Sequence, residues 1–285
     1  MEDKFSEIIR IFDIMKRIIT LIAAVAALCS CGSSKLASHA PEKVQIVAHR
    51  GFWNCEAAGY AQNSVASLRE AQNAGFWGSE FDVQLTKDGI VVSNHDKEYG
   101  PEKMVIADYT YEELAKYPLP NGEKLPTLDD YLAQGEKSDK TVLVLEFKKQ
   151  RTDEATIELV DKSMEIVKAH GLYDPSRIVF ISFSKVACER IISKHPQFEV
   201  QYLLGNISSK GLKKKGYTGA DYNAAIYSVE GALIKNLHKK GLKANVWTVD
   251  NPAKMQKLFL KGVDQITTNA PLTARDLLGD REYRK

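Results

Sequence analysis

Seven side chains suited to acid–base or phosphate chemistry stand at the ends of apolar, β-rich runs of this sequence. They are two histidines, three carboxylates, an arginine and a lysine: His49, Arg50, Glu80, Asp82, His95, Glu146 and Lys148. Residues two apart on a strand point to the same side, so Glu80 faces the same way as Asp82, and Glu146 the same way as Lys148. The combination of imidazoles, carboxylates and cationic groups indicates a metal-assisted phosphate site.

The three carboxylates need partners if they converge in a protein interior. Each buried, unpaired charge would cost several kcal/mol. A divalent cation held by Glu80, Asp82 and Glu146 would satisfy them, and an all-oxygen ligand set favours Mg²⁺ or Ca²⁺ over Zn²⁺. The alternative is a set of structural salt bridges with Arg50 and Lys148. Two histidines at matching strand positions favour the functional interpretation.

Short β-branched runs alternate with amphipathic runs along the chain. Strands are predicted at 44–48, 78–85, 141–147, 177–182, 199–204, 221–227, 243–248 and 264–267, and helices at 64–74, 153–170, 184–195, 230–240, 252–261 and 272–277. Eight β/α units in about 250 residues favour a closed (β/α)8 TIM barrel over an open doubly wound sheet. Catalytic groups of such a barrel come from the C-terminal ends of several strands, which would bring the seven side chains together.

One connection is longer than the rest. Residues 97–140, between the second and third strands of the barrel, contain a predicted short helix at 109–114 followed by several prolines. A loop of this length in a compact domain is usually a lid or a small insert. The sequence therefore predicts an insert that covers part of the active face.

Residues 1–30 are predicted to be a signal peptide. A basic pair at 16–17 precedes the apolar stretch 18–28, which is too short to span a bilayer but suits a signal-peptide core. Met15 directly precedes the basic pair. Residues 1–14 are therefore interpreted as a misassigned extension ahead of the true start.

Residues 28–31, Leu-Cys-Ser-Cys, resemble the lipobox of bacterial lipoproteins, which implies cleavage before Cys31 and its acylation. The polar, aperiodic residues 31–42 would then tether a catalytic body at 43–285 to a membrane. The prediction is an exported lipoprotein of the bacterial cell envelope, periplasmic or on the outer surface. An uncleaved anchor or an ordinary secretory signal is the alternative.

Charge and cysteine content exclude several other classes of protein. The chain has 39 Lys and Arg against 37 Asp and Glu, so it offers no general case for nucleic-acid binding, and no protein partner is indicated. Cys55 and Cys188 are too far apart to suggest a disulfide scaffold or a metal motif, and we interpret them as ordinary small residues.

Four ordered motifs resemble those of the glycerophosphodiester phosphodiesterase family. They are His49-Arg50-Gly51, Glu80-Phe81-Asp82-Val83, His95-Asp96 and Leu145-Glu146-Phe147-Lys148, and the later segments 126–128, 246–249 and 266–271 also match the family pattern. Two positions depart from that pattern. Gln62 stands where the family usually has Glu, and Asn269 stands where Asp is frequent.

The resemblance implies a role for each candidate residue. Glu80, Asp82 and Glu146 would hold the metal, His49 and His95 would form a general acid/base pair, and Arg50 and Lys148 would bind the phosphate. Phe183 and Trp247 would contact the glycerol backbone, although core packing is the alternative for both. The implied reaction releases glycerol 3-phosphate and an alcohol through a cyclic phosphate, with neither histidine assigned to the first proton transfer.

Two other functions stay open on the sequence. A lysophospholipase D or sphingomyelinase D type of enzyme resembles this family, but 84–131 shows no conspicuous apolar channel for an acyl chain. A non-catalytic lipoprotein that captures a phosphate ligand would use the same cation site. Two histidines weigh against it, because binding needs no proton transfer.

Overall fold

The computed structural model describes residues 44–279 and arranges their main sheet as a closed barrel. Its strands are β1 (Gln45–Ala48), β2 (Gly78–Leu85), β3 (Val91–Ser93), β4 (Glu98–Tyr99), β5 (Met104–Val105), β6 (Val142–Phe147), β7 (Ile178–Ser182), β8 (Glu199–Tyr202), β9 (Gly219–Asn223), β10 (Lys243–Trp247) and β11 (Gln265–Thr268). Eight of them are parallel, in the order β1-β2-β6-β7-β8-β9-β10-β11, and β11 pairs with β1 to close the ring. The predicted (β/α)8 barrel is confirmed.

Helices fill the connections on the outside of the sheet. They span Val65–Asn73, Tyr111–Leu114, Leu128–Gly135, Asp153–Ala169, Lys185–Lys194, Ser209–Lys214, Ala224–Val229, Leu233–His238, Pro252–Lys261 and Pro271–Leu278. Most begin at a side-chain cap that the sequence provides. The Oγ of Ser64 accepts a hydrogen bond from the Ser67 amide, and Asn251 caps the helix that Pro252 starts.

Alternation along the strands divides the side chains between two cores. Ala220 and Tyr222 of β9 pack outward in the core between sheet and helices, so Asp221 between them points into the barrel. A smaller apolar cluster fills the barrel interior, formed by Val47, Val144, Val179, Ile181 and Leu203. His49 follows Val47 of this cluster by two residues, and Glu146 follows Val144 by two residues on β6. Both candidate residues therefore lie beside the apolar cluster, toward the C-terminal ends of the strands.

The predicted strand at 221–227 is wrong beyond Asn223. The side chain of Asn223 accepts a hydrogen bond from the Ala225 amide and starts the helix Ala224–Val229. The β-branched and aromatic residues of this stretch suggested a strand, but their propensity is weak and tertiary packing overrides it. The following helix is correspondingly shorter than predicted, at Leu233–His238.

The insert at 97–140 is present and packs on the β2–β3 hairpin. Its apolar side chains form one cluster with Val92: Tyr99, Met104, Ile106, Leu114 and Leu125. The predicted short helix lies at Tyr111–Leu114, and a reciprocal pair of hydrogen bonds between Thr110 and Glu113 caps it.

The predicted signal peptide, the tether and Cys31 lie outside the described residues. Within 44–279, no helix has the length and apolar character needed to cross a membrane.

Candidate active site

A cavity of about 180 Å³ opens where the C-terminal ends of the barrel strands meet. Seven predicted site residues line it: His49, Arg50, Glu80, His95, Glu146, Phe183 and Trp247. The other two, Asp82 and Lys148, lie next to these residues, because Lys148 contacts both Asp82 and Glu146. None of the lining residues comes from 97–140. That the insert covers part of this face stays a prediction.

The turn after β1 holds His49 and Arg50 against β2. Arg50 and Gly51 both have positive φ, 57° and 79°. The Arg50 amide donates to Glu80 Oε2 at 2.7 Å, and the Gly51 amide donates to the Glu80 carbonyl at 2.9 Å. A Cβ on Gly51 would lie only 2.2 Å from Ser67 Oγ, so the sharp turn needs glycine there.

His49 is fixed in one tautomer by its neighbours. Its Nδ1 lies 2.8 Å from Asn269 Oδ1. That oxygen also accepts from the Trp53 indole N–H at 3.1 Å, while Asn269 Nδ2 donates to Asp250 at 2.9 Å. Because an indole can only donate, Oδ1 is the acceptor and His49 Nδ1 carries the proton. Nε2 is left with a free lone pair, 4.0 Å from Glu80 Oε2.

Burial and the charge of Arg50 lower the pKa of His49 to about 4, although the hydrogen bond with Asn269 opposes that shift. The ring is therefore neutral near pH 7. A neutral imidazole with an unprotonated Nε2 directed at the cavity can accept a proton.

Three buried carboxylates converge beside this histidine. Each of Glu80, Asp82 and Glu146 offers an oxygen, and the three oxygens lie within 4.8 Å of one another. Burial and the neighbouring carboxylates raise the pKa of Glu80 well above its usual range, and burial together with Asp82 raises that of Glu146 to about 7. Burial acts on Asp82 in the same direction, but Lys148 and His95 outweigh it and the pKa of Asp82 is lowered.

The balance of charge in this cluster fits a divalent cation. Lys148 Nζ lies 2.8 Å from Glu146 Oε1 and 3.2 Å from Asp82 Oδ1, so the salt-bridge interpretation is correct for two of the carboxylates. Arg50, however, directs Nη1 at Gln62 Oε1, 2.5 Å away. Three carboxyl groups share one lysine, so a bound cation would stabilise their ionised forms, and hard oxygen ligands are what Mg²⁺ and Ca²⁺ prefer.

His95 lies on the loop that follows β3 and is the more exposed of the two site histidines. Its Nδ1 is 2.7 Å from Asp96 Oδ1. Hydrogen bonds from Gln84 Nε2 to the carbonyls of Asn94 and Asp96 tie the loop to β2. An imidazole on the wall of the cavity can donate or accept a proton.

Phe183 and Trp247 form an edge-to-face pair on the other wall, with ring centroids 5.4 Å apart. The Trp247 indole donates to the Asp221 carbonyl at 2.9 Å, which fixes the ring. Both residues also touch the apolar cluster inside the barrel, so they combine core packing with a face on the cavity.

The residues that sequence reasoning missed are Asp221, Asp250 and Trp53. Asp221 lines the cavity from β9. Its signal is a lone carboxylate in a short strand, but the predicted strand begins two residues later than β9 and extends into the next helix. Asp250 and Trp53 act through Asn269, and no pattern in the sequence connects them.

A larger concavity of about 880 Å³ lies on the side of the barrel, next to the helices Asp153–Ala169 and Lys185–Lys194. Of the charged groups that border it, Arg190 and Asp161 form an ion pair with each other at 2.7 Å. Among the described residues, the only converging set of potential metal ligands is the one at the barrel mouth. The smaller cavity is therefore the candidate active site.

Known proteins resemble this chain over nearly all of the barrel. A glycerophosphodiester phosphodiesterase structure from Parabacteroides distasonis is 39% identical, with a TM-score of 0.80 over 84% of this chain and 98% of that one. A curated glycerophosphodiester phosphodiesterase of Caldanaerobacter subterraneus is 27% identical over 83% of this chain and 98% of its own length. An Oleispira antarctica phosphodiesterase, solved with the product sn-glycerol-3-phosphate, shares the fold at 22% identity and a TM-score of 0.70, over 85% of this chain and 98% of that one.

The sequence profile of the glycerophosphoryl diester phosphodiesterase family matches residues 49–273, from the first site histidine to the helix that follows β11. This range contains every candidate site residue within the described chain. The chain therefore belongs to the glycerophosphoryl diester phosphodiesterase family.

Proposed function

We propose that this protein hydrolyses glycerophosphodiesters to glycerol 3-phosphate and an alcohol, using one Mg²⁺ or Ca²⁺ ion and the histidine pair His49 and His95. The observation that carries the proposal is the position of a neutral His49, with Nε2 unprotonated, beside the buried acidic cluster. A site built only to bind a phosphate would not need a fixed proton acceptor at that place.

Glu80, Asp82 and Glu146 would hold the cation, which when bound stabilises the negative charge that develops on the phosphate oxygens. Lys148 adds a fixed positive charge next to Asp82 and Glu146. Arg50 adds a planar guanidinium that can bind two phosphate oxygens at once. Its partner Gln62 is neutral, so the positive charge of Arg50 stays available for an anionic ligand.

The geometry supports a division of labour between the histidines. His49 Nε2 would take the proton from the glycerol hydroxyl next to the phosphoester carbon, and that oxygen would attack phosphorus. His95, beside Asp96, would give its proton to the oxygen of the departing alcohol as the P–O bond breaks. Water would then open the cyclic phosphate with the two roles reversed, which returns both histidines to their starting states.

The direct test is hydrolysis of glycerophosphocholine, measured as the release of glycerol 3-phosphate. The purified protein should turn over this substrate with Mg²⁺ or Ca²⁺ and stop after chelation, and His49→Ala should lower kcat by about 10²- to 10⁴-fold while thermal unfolding stays cooperative. Absence of turnover with either ion, or full activity of His49→Ala, would contradict the proposal. Lysophosphatidylcholine in parallel tests the lysophospholipase D alternative, and turnover of any glycerophosphodiester excludes a purely ligand-capturing role.

We infer from the sequence alone that the protein is exported and anchored through a lipid on Cys31, with residues 31–42 as a tether. The support is the lipobox resemblance at 28–31 behind a basic pair and an apolar stretch. Mass spectrometry of the protein from its native host tests it. Acylated peptides beginning at Cys31 are expected, whereas peptides that cover 1–14 or an unmodified Cys31 would contradict the inference.

A further inference from the structure

Asp221 is a buried carboxyl group that the proposed chemistry does not use. Its side chain is 1% exposed and lies on the wall of the active-site cavity. Neither carboxyl oxygen has a hydrogen-bond partner among residues 44–279. Its carbonyl is occupied by the Trp247 indole, but the carboxyl group itself is not.

Neither packing nor the cation cluster explains this residue. Leaving a buried polar group without a hydrogen bond is unfavourable, so such groups are uncommon unless a ligand uses them. The converging oxygens of the cation cluster belong to Glu80, Asp82 and Glu146, and Asp221 is not among them. The adjacent Asn245 bonds instead to Thr267, whose hydroxyl lies 3.3 Å from Asn245 Oδ1.

The order of the strands places Asp221 across the barrel from the acidic cluster. In the ring β1-β2-β6-β7-β8-β9-β10-β11, β9 is the fourth strand from β2 in either direction. Glu80 and Asp82 on β2 and Asp221 on β9 therefore occupy opposite walls. A ligand whose phosphate is bound at the β2 side would direct its other end toward Asp221, past the pair formed by Phe183 and Trp247.

We propose that Asp221 binds the terminal hydroxyl of the glycerol moiety and so selects glycerol diesters among phosphodiesters. This inference rests on the proposed function. The hydroxyl next to the phosphoester carbon must lie at phosphorus and His49 to react, so only the terminal hydroxyl is free to reach the opposite wall. The cavity of about 180 Å³ is small, and the deep position of Asp221 suits the glycerol that all substrates share rather than the variable alcohol. A carboxyl group accepts a hydrogen bond whether ionised or protonated.

The test compares two substrates and three proteins. Glycerophosphocholine carries the terminal hydroxyl, and 2-hydroxypropyl phosphocholine keeps the attacking hydroxyl but lacks the terminal one. The wild type is expected to prefer the first in kcat/KM by about 10- to 100-fold, because the second leaves the buried carboxyl group without a hydrogen-bond partner. Asp221→Leu should lose that preference by slowing only on glycerophosphocholine, with its rate on the analogue within about twofold of wild type.

Asp221→Asn has the same shape and still offers an acceptor, so it should retain part of the preference, and it provides the comparison if the Leu variant does not fold. An equal loss of kcat/KM on both substrates in either variant, or an unchanged preference in both variants, would overturn the inference. Turnover by the wild type would still support the phosphodiesterase activity in that case. A wild type that hydrolyses neither substrate would overturn the proposed function, and this inference with it.

Discussion

The Nδ1–H of His49 is donated to Oδ1 of Asn269, 2.8 Å away, and this pairing decides which ring nitrogen faces the cavity. Asn269 is held in turn by Asp250, through both its backbone amide at 2.8 Å and its side-chain amide at 2.9 Å. Together they form a chain from carboxylate to amide to imidazole. The amide in the middle keeps the negative charge of Asp250 one residue away from the ring.

Asn269→Asp should move the acidic limb of the activity profile to higher pH. His49 must be neutral to accept a proton, and its pKa is lowered to about 4, so the wild type keeps its base over most of the acidic range. A carboxylate at Nδ1 would favour the protonated ring and raise that pKa. The measurement is kcat/KM on glycerophosphocholine from pH 4 to 8. Asn236→Asp, the same charge change at an exposed helix position, should leave the limb in place; an unshifted limb in Asn269→Asp would contradict the assignment of His49 as the base.

His95→Ala should matter only when the departing alcohol needs a proton. With glycerophosphocholine we expect a loss of about 10²- to 10⁴-fold in kcat, because choline leaves poorly as an alkoxide. With a p-nitrophenyl ester of glycerol phosphate the loss should be less than about tenfold, because that leaving group is stable as an anion. His49→Ala should be slow on both esters. Equal losses for the two esters in His95→Ala would remove its role as the acid.

Lys148→Met should make stability depend on the cation. Lys148 is the counter-ion of Asp82 and Glu146, and removing one partner from a buried ion pair costs about 3 to 5 kcal/mol. A bound divalent ion would supply the missing positive charge. We therefore expect a large drop in Tm with a chelator and a much smaller one with saturating Mg²⁺ or Ca²⁺.

Lys162→Met is the matched control, because its ion pair with Glu158 is exposed and such pairs contribute little. Its Tm should change little in either condition. Equal drops for Lys148→Met with and without the ions would indicate that no cation binds at the acidic cluster.

Gly51→Ala should destabilise the fold much more than Gly75→Ala. Both glycines have positive φ, 79° and 69°, which costs a residue with a Cβ about 1 to 2 kcal/mol. The Cβ at Gly51 would also meet Ser67 Oγ at 2.2 Å and the Ser67 backbone at 2.8 Å, whereas nothing lies within 4 Å of a Cβ at Gly75. In urea unfolding, the free energy of unfolding should fall by more than about 3 kcal/mol in Gly51→Ala. Equal losses would mean that the turn after β1 adjusts without cost.

The side chains at the strand ends could be predicted because a barrel brings those ends to one face. Once Glu80, Asp82, Glu146 and Lys148 were read as i and i+2 pairs on parallel strands, their convergence followed from the fold, and the contacts of Lys148 with two carboxylates agree with it. Local patterns carry this kind of information well, because strand periodicity and helix caps involve residues close in sequence.

Contacts that depend on how distant strands pair could not be predicted in the same way. The bond between His49 and Asn269 joins residues 220 apart in sequence, and it depends on β1 pairing with β11 so that Ala48 lies beside Thr268. From the sequence, Asn269 could be recognised only as an uncharged residue at a position where the family frequently has Asp. The inward position of Asp221 was likewise hidden, because it depends on where β9 stops and the next helix begins.

Closure of the ring by β1 and β11 has a consequence for the order of events during synthesis. The first strand emerges from the ribosome with His49 almost at once, but the strand that orients this histidine is among the last parts of the domain to be made. A partly synthesised chain thus holds its base without the partner that fixes the tautomer. The domain should therefore become active only when β11 pairs with β1, and not gradually as each β/α unit is made.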